Sequence, residues 1–355
     1  MAALTVAAFF IPPKANAVSA EKAILLDADS GRILYSKNAD SRSLIASTTK
    51  IMTALVVCQH CNVLDRVKIP KEAVGIEGSS MYLAEGEILT VQELLYGLML
   101  RSGNDAAVAL AIYCGGTVEG FAEMMNDKAR ALGLKNTHFS NPHGLDAPDH
   151  YSSAADLAKL SAYAMKDPIF SMTVSTKSVK FGDRFLQNHN KLLWRYPDAN
   201  GIKTGYTKAA GRILVSSAMR NGRTLICVTI NAPDDWNDHI KLLNSGFSDF
   251  SPRTIVKKGQ RIGSVPVAGG TQPDVWLVAD ESFDYALSEG ESVSLEIPGI
   301  GYVYAPVSFG AFAGNAHIYV NGNAVGCVPL SYGDSVEMMK SPAVPWYRRF
   351  FKVFN

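Results

Sequence analysis

The spacing of apolar residues changes near residue 250 of this 355-residue chain, and this change constrains the fold more than any other feature. Before that point, strand-like segments stand at both ends of a region with helical spacing. Beyond it, short strand-like runs are broken by glycines. Runs of that kind are typical of all-β domains. The pattern predicts a mixed domain over residues 18–250 and a small all-β domain over residues 251–337.

The first domain begins and ends with strand signals. Residues 22–35 predict two short strands around a turn. Strands are also predicted at residues 212–218 and 224–231, with the hairpin turn Asn221-Gly222 between them. Four segments in between have apolar residues at helical spacing; they are residues 47–61, 91–111, 118–131 and 153–165. The β elements therefore flank a helical insert.

The two ends of the chain carry signals for export and membrane attachment. Residues 1–17 combine an apolar run with the triplet Ala15-Asn16-Ala17, which is typical of a cleaved signal peptide; the alternative is an N-terminal strand. Residues 338–355 form a C-terminal segment, and over residues 345–354 the aromatic side chains and a valine occupy one arc of a helical wheel while three basic residues occupy the other. The alternative is a terminal helix packed on the protein. We expect an exported protein, peripheral at the extracytoplasmic face of the bacterial cell membrane.

Charge and cysteine content argue against several classes of function. The formal net charge of +1 offers no field for nucleic acid, so no such partner is expected. Five cysteines leave at least one unpaired in a monomer. Cys58 and Cys61 lie in a helical pattern without the second ligand pair of a zinc site, and they fit small buried apolar side chains better. No metal or other cofactor is expected.

Three short motifs follow one another in the first domain. They are Ser47-Thr48-Thr49-Lys50, Ser102-Gly103-Asn104 and Lys203-Thr204-Gly205. Each alone is weak, since the segments that start at Ser19 and Ser36 match the first two by chance. Together, at gaps of about 50 and about 100 residues, they resemble the motif set of penicillin-binding proteins and class A β-lactamases.

The first motif combines a nucleophile with its base. A serine hydroxyl is a weak nucleophile until a neighbouring base takes its proton. Ser47 and Lys50 are three residues apart at the start of a predicted helix, so their side chains share one face. Burial beside another cation would lower the pKa of Lys50 toward the neutral form that a base requires. The helix N-terminus adds N–H groups near a developing oxyanion.

The second motif would assist the departure of the leaving group. Ser102 and Asn104 are expected in a loop that leads into a helix near Asp105. Ser102 can relay a proton to the leaving amine, and Asn104 can orient Lys50 and the substrate amide. For any single motif, helix caps and turns remain the plainer explanation.

The third motif would hold the substrate. Lys203 and Thr204 fit a clamp for a carboxylate, and they are expected just before the strand-like segments. Gly205 would let a substrate backbone lie close to an edge strand. The N–H of Tyr206 would be the second oxyanion donor.

The chain is similar to the low-molecular-weight penicillin-binding proteins that act as D-alanyl-D-alanine carboxypeptidases. The resemblance extends over four signature stretches, which are residues 44–53, 99–107, 141–146 and 201–207, and continues at His150, Ser152 and residues 156–158. It covers residues 20–250, and the β domain with its amphipathic tail matches the family's usual C-terminal arrangement.

The resemblance implies an α+β fold: a β-lactamase-like peptidase domain with an antiparallel sheet and a helical cluster, then a small all-β domain. It implies a substrate, the D-Ala-D-Ala end of a peptidoglycan stem peptide, and an acyl-enzyme on Ser47. It also implies that β-lactam antibiotics acylate Ser47, because they mimic that dipeptide.

One residue departs from some relatives of this family. They carry an arginine near the substrate carboxylate where this chain has His189, just before Asn190. We expect carboxylate binding to depend more on Lys203 and Thr204, and to weaken above the pKa of His189. Chance placement of His189 in a polar loop is the alternative.

Three other functions compete with this interpretation. A class A β-lactamase would need a glutamate for deacylation, but only Glu119 and Glu123 lie between Ser102 and Lys203 and neither begins the expected pattern. The sequence distinguishes poorly between a carboxypeptidase and a DD-endopeptidase or transpeptidase that acts on crosslinks. A catalytically silent wall-binding scaffold would use the β domain alone.

Overall fold

The computed structural model describes residues 18–299 and 301–340. The predicted signal peptide at residues 1–17 lies outside the described residues, as does the predicted membrane segment beyond Lys340. The described chain forms two compact units that divide between Asp249 and Phe250. Helices and an antiparallel sheet make up the first and strands the second, which confirms the predicted fold class. Among these residues no helix is both long and apolar enough to cross a bilayer.

The elements of the first unit follow the predicted order. Its strands are β1 (Lys22–Asp27), β2 (Ile33–Lys37), β3 (Arg66–Lys68), β4 (Ile88–Thr90), β5 (Ser178–Phe181), β6 (Arg184–Gln187), β7 (Ala199–Thr207), β8 (Gly211–Arg220) and β9 (Arg223–Ile230). Its α-helices are α1 (Lys50–His60), α2 (Val91–Leu100), α3 (Asn104–Gly115), α4 (Val118–Ala131), α5 (Ala154–Ala164), α6 (Pro168–Ser175), α7 (Leu192–Arg195) and α8 (Asp235–Ser248). Short 3-10 helices span Ala46–Thr49 and Lys71–Ala73.

Strands from both ends of the first unit form one antiparallel sheet, in the order β2-β1-β9-β8-β7. Alternate residues of a strand face opposite sides of its sheet. Ile226 and Val228 of β9 join the core beneath the helical cluster, whereas Leu225 lies against Gly246 of α8. β9 is therefore buried on both faces, and β7 is left as an edge strand.

Helix α1 occupies the centre of the helical cluster. Its residues from Ile51 to Val57 are at most 1% exposed, and it packs against α2, α3, α4, α5 and α6. The 3-10 helix Ala46–Thr49 leads directly into α1 and contacts β7. The centre of the core therefore holds the start of α1 against the edge of the sheet.

Two local predictions need correction. The helical spacing of residues 91–111 is interrupted, because Ser102 takes a left-handed φ of 63° between α2 and α3. Apolar spacing continued across this break because both helices pack on the same core. The Lys203–Gly205 motif was expected before the strands, but it lies inside β7.

The second unit is built of strands within its described residues. They are β10 (Phe250–Val256), β11 (Arg261–Ala268), β12 (Asp274–Ala279), β13 (Phe283–Ser288), β14 (Val293–Glu296), β15 (Val303–Tyr304), β16 (Phe312–Val320) and β17 (Asn323–Tyr332). Six form a sheet in the order β14-β16-β17-β12-β11-β15, and β10 pairs with β13. Val265, Leu277 and Ile318 are at most 2% exposed in a core of its own.

Candidate active site

All three motifs contribute to one cavity of about 350 Å³ in the first unit. The motif residues in its lining are Ser47, Ser102, Thr204 and Gly205, and Tyr206, which follows the third motif, lines it as well. They come from the 3-10 helix before α1, from the turn between α2 and α3, and from edge strand β7. The structure therefore brings together side chains that lie far apart in the sequence.

The Lys50 amine is fully buried and surrounded by three oxygen atoms. Its Nζ lies 3.1 Å from Ser47 Oγ, 2.6 Å from Asn104 Oδ1 and 2.6 Å from the carbonyl oxygen of His143. Burial holds the pKa of Lys50 well below its ordinary value, and the positive charge of Lys203 lowers it further. The neutral amine is therefore favoured.

The three oxygens also orient the neutral amine. An amide oxygen and a backbone carbonyl oxygen can only accept hydrogen bonds, so the two N–H groups of a neutral Lys50 point to Asn104 Oδ1 and the His143 carbonyl. Its lone pair then faces Ser47 Oγ, which is the one hydroxyl of the three contacts. This arrangement suits the transfer of a proton from Ser47 to Lys50.

The loop that precedes β4 holds Asn104 and the neighbouring Asp105 in place through hydrogen bonds. The side-chain amide of Asn104 donates through Nδ2 to the carbonyl of Glu77 at 2.5 Å, which leaves Oδ1 for Lys50. The buried carboxylate of Asp105 accepts from the N–H of Met81 at 2.9 Å. The same loop places Ser79 in the cavity lining. Sequence analysis missed this loop because nothing in its local pattern indicated a partner.

A second backbone segment meets the site at residues 141–145. Asn141 Oδ1 accepts from the N–H of Gly144 at 2.7 Å and forms a tight turn, which presents the His143 carbonyl to Lys50. Gly144 has a φ of 90°, and a Cβ there would lie 1.9 Å from the carbonyl oxygen of Ala46. Only glycine fits this approach. A main-chain ligand of this kind has no side-chain signature, so its role was not predicted.

Gly205 allows strand β7 to touch the 3-10 helix that carries the nucleophile. A Cβ at this position would lie 3.2 Å from the carbonyl oxygen of Ile45 and 3.3 Å from both Ser47 N and Thr48 Cγ2. The side of the glycine on which a Cβ would lie is thus filled by the protein, so this residue also sets the distance between β7 and Ser47. Gly205 lines the cavity as well, and the close approach of a substrate backbone there stays a prediction.

Lys203 is buried on β7 next to Thr204, which lines the cavity. Lys203 is 1% exposed, its Nζ donates to the carbonyl of Thr204 at 3.0 Å, and burial lowers its pKa to about 7. Within the described residues, no cluster of three or more His, Cys, Asp or Glu side chains could hold a metal ion.

His189 lines the cavity in an uncharged form. Partial burial lowers its pKa to about 4, and the positive charges of Lys203 and Arg101 contribute. A lowered pKa does not favour titration of His189 between pH 5 and 8, and its effect on carboxylate binding stays a prediction. Burial is the larger cause of the shift, and the two cations, which are distant in sequence, add to it.

An arginine that sequence analysis missed also lines the cavity. Arg212 of β8 is 45% exposed at its side chain, and its Nη2 donates to both oxygens of Asp235 at 2.8 and 2.9 Å. The carboxylate of Asp235 is buried at the start of α8 and holds the guanidinium beside Thr204 and Tyr206. Because Arg212 lies on β8 and Asp235 on α8, their ion pair leaves no local signal in the sequence.

Comparison with known proteins assigns both units. Residues 10–234 match the D-alanyl-D-alanine carboxypeptidase family, and residues 250–338 match the C-terminal domain of penicillin-binding protein 5. D-alanyl-D-alanine carboxypeptidase DacF of Bacillus subtilis is 33% identical over 346 residues, which are 93% of this chain and 88% of that protein. DacC of Escherichia coli is 35% identical over 91% of this chain and 86% of its own length.

Solved structures of penicillin-binding proteins and related enzymes are also similar to this chain. Penicillin binding protein 5 from Haemophilus influenzae has a TM-score of 0.80 at 32% identity, and the match covers 92% of this chain and 99% of that one. A Streptomyces K15 DD-transpeptidase has a TM-score of 0.63 at 36% identity over 65% of this chain and 99% of its own. The chain resembles the first of these over both of its units.

Proposed function

Because the chain belongs to the D-alanyl-D-alanine carboxypeptidase family, we propose that Ser47 is its nucleophile and that a peptidoglycan stem pentapeptide acylates it. The chain is a serine-type D-alanyl-D-alanine carboxypeptidase and a low-molecular-weight penicillin-binding protein of cell-wall metabolism. The assignment of Ser47 rests on one observation above the others. Its Oγ lies 3.1 Å from the buried amine of Lys50, whose other two contacts are both acceptors.

The reaction proceeds in two transfers. Ser47 Oγ attacks the carbonyl carbon of the penultimate D-alanine while its proton passes to Lys50. The N–H groups of Ser47 and Tyr206 stabilise the oxyanion. Ser102 then relays this proton from Lys50 to the nitrogen of the terminal D-alanine, which leaves as the free amino acid, so that Lys50 is neutral again and Ser102 keeps its own hydroxyl proton. Water, deprotonated by the same lysine, hydrolyses the ester and restores the serine.

β-Lactam antibiotics occupy the same site and acylate Ser47. Fast release of the acyl group by a class A β-lactamase needs a glutamate beside the ester. Glu119 and Glu123 are exposed on α4 and do not line the cavity. This supports a slowly hydrolysed penicilloyl-enzyme.

The substrate is tested by incubating the protein with a pentapeptide that ends in D-Ala-D-Ala and measuring free D-alanine. We expect release of one D-alanine per peptide and its suppression by benzylpenicillin. A crosslinked muropeptide dimer serves as the competing substrate. Cleavage of the crosslink with no D-alanine release from the pentapeptide would show that the enzyme is an endopeptidase.

The pH dependence of kcat/KM is expected to follow the two buried lysines in opposite directions. Lys50 must be neutral, so activity rises as its lowered pKa is passed. Lys203 must be charged to bind a carboxylate, so activity falls above its pKa of about 7. Measurement of D-alanine release from pH 5 to 9 should therefore give a bell-shaped profile.

Lys203→Arg is the matched variant, because arginine stays charged throughout this range. We expect its falling limb to move beyond pH 9 while the rising limb stays in place. If the falling limb is unchanged in Lys203→Arg, the loss of activity at high pH must come from a group other than Lys203.

Arg212 supplies a second cation for the substrate carboxylate. One of its nitrogens is used by Asp235, and the guanidinium has further donors that can reach a ligand in the cavity. Arg212→Gln is expected to raise KM for the pentapeptide about 10- to 100-fold, with a smaller effect on kcat, because a charge-assisted hydrogen bond is lost. Initial rates over a range of peptide concentrations separate the two constants.

Arg220→Gln is the control, because Arg220 lies on the same strand and pairs with Asp198 outside the cavity lining. It should leave KM unchanged. A peptide that ends in D-alaninamide has no carboxylate, so Arg212→Gln should not weaken its binding further. An equal loss with both peptides would contradict the assigned role.

The C-terminal segment beyond Lys340 attaches the exported enzyme to the extracytoplasmic membrane surface. Arg348, Arg349 and Lys352 each contribute about 1 kcal/mol near anionic lipid, and the aromatic residues add apolar burial. The full chain is expected to sediment with vesicles that contain phosphatidylglycerol, and a chain that ends at Lys340 should bind them about 100-fold more weakly or not at all. Equal sedimentation of both would place the attachment elsewhere.

A further inference from the structure

Two cysteines lie at the far ends of the two helices that start at the active site. α1 begins at Lys50 and is followed by Cys61, while α3 begins at Asn104 and carries Cys114 in its last turn. The two helices pack against each other. A link between the cysteines would therefore join the C-terminal ends of the helices whose N-terminal ends hold the nucleophile, the base and the second motif.

The two thiols are already in contact. Each thiol shifts the pKa of the other, so the two are close neighbours, both are partly buried, and both pack against the same core. The hydroxyl of Tyr113 donates to the carboxylate of Asp65 at 2.9 Å, which ties the end of α3 to the turn that follows Cys61. This hydrogen bond fixes the pair independently of the thiols.

The other three cysteines are placed differently. Cys58 lies one turn earlier on α1, where burial raises its pKa to about 12. Cys227 is fully buried in β9, and Cys327 is exposed in the second unit. A thiol must ionise to attack a disulfide, so Cys58 and Cys227 are poor candidates for the first attack on an oxidant.

We infer that Cys61 and Cys114 are oxidised to a disulfide that ties α1 to α3. The oxidant is a disulfide, either oxidised glutathione or the disulfide of a thiol–disulfide oxidoreductase. One thiolate attacks it, forms a mixed disulfide and expels one thiol; the second thiolate attacks the mixed disulfide, forms the Cys61–Cys114 bond and expels the other thiol. The protein loses two protons and two electrons, and the donor gains them.

The thiol contact also sets the order of these steps. Cys114 accepts the hydrogen bond from Cys61, which lowers the pKa of Cys114 and raises that of Cys61. Cys114 is therefore the thiol that attacks first, and Cys61 completes the bond. Export to an oxidising compartment, as proposed above, would make the bond permanent.

The bond would stabilise the folded first unit by closing a loop of the chain. It encloses about 50 residues, among them Ser102, Asn104 and the loop that precedes β4, and so restricts the unfolded chain. We expect reduction by tris(2-carboxyethyl)phosphine to lower Tm by about 10 °C. The same treatment should leave kcat/KM at 25 °C nearly unchanged, because the folded contacts between α1 and α3 remain.

The experiment is a thiol count on protein exported to an oxidising compartment, unfolded and titrated with Ellman's reagent. We expect three thiols per chain before reduction and five after it. Cys61→Ser should increase the count to four, because Cys114 is released. Cys58→Ser, the matched control on the same helix, should decrease it to two. Peptide mapping should find the Cys61 and Cys114 peptides joined.

Five thiols in the exported protein would overturn the inference, and so would an increase to four in Cys58→Ser. A Tm that falls equally on reduction in wild type and in the Cys61→Ser/Cys114→Ser double variant would also overturn it. Neither readout depends on D-alanine release, so failure here leaves the carboxypeptidase assignment standing.

Discussion

Ser47→Ala is expected to lower kcat/KM for D-alanine release by about 10⁶-fold, the scale seen when the nucleophile of a serine peptidase is removed. The physical reason is that, among the described residues, Ser47 supplies the hydroxyl that contacts Lys50 Nζ, at 3.1 Å. The variant should also fail to bind fluorescent penicillin covalently. Release of D-alanine by purified protein and labelling on a denaturing gel measure the two effects.

Ser36→Ala is the control for this variant. Ser36 belongs to the chance match of the second motif, lies on β2 and is exposed, so activity and labelling should persist. If Ser47→Ala is still labelled by penicillin, Ser47 is not the nucleophile. Equal thermal unfolding of the two variants would confirm that the loss is chemical.

Lys50→Arg is expected to lower the rate of acylation by about 10²- to 10⁴-fold, the contribution of a positioned base. A guanidinium keeps its proton throughout the range in which proteins function. It cannot offer a lone pair to Ser47, even though it conserves the positive charge. The rate of acylation by a chromogenic cephalosporin gives the measurement.

Lys203→Arg is the comparison that separates charge from basicity. Arginine preserves the only property that Lys203 needs, so the variant should keep most of its activity at pH 7. Acylation near the wild-type rate in Lys50→Arg would show that another group accepts the proton. Lys50→Met removes both charge and base, and its stability reports whether the larger guanidinium disturbs the buried site.

Much of the site could be predicted because its chemistry is encoded at short range. Ser47 and Lys50 are neighbours on one helix face, and the order of the three motifs restricts the fold to a known family. The strands at 22–35 and 212–231 also followed from local spacing. Their pairing into one sheet joins the two ends of the unit.

Other contacts could not be predicted because they depend on backbone geometry. The His143 carbonyl binds Lys50 through an atom that every residue possesses, and Gly205 faces a helix that is distant in sequence. The partnership of Arg212 with Asp235 likewise crosses from a strand to a helix. His189 was expected to titrate in the neutral range, but surrounding cations and burial lower its pKa to about 4.

The sequence by itself determined the class of enzyme, the identity of the reactive groups and the succession of strands and helices, since each is carried by residue types at short spacing. Tertiary structure alone decided which groups are charged and where each proton can go. The reason is that the pKa of Lys50 depends on complete removal from water and on the charge of Lys203, a residue 153 positions away in the chain. Burial and long-range charge exist only after the chain has folded.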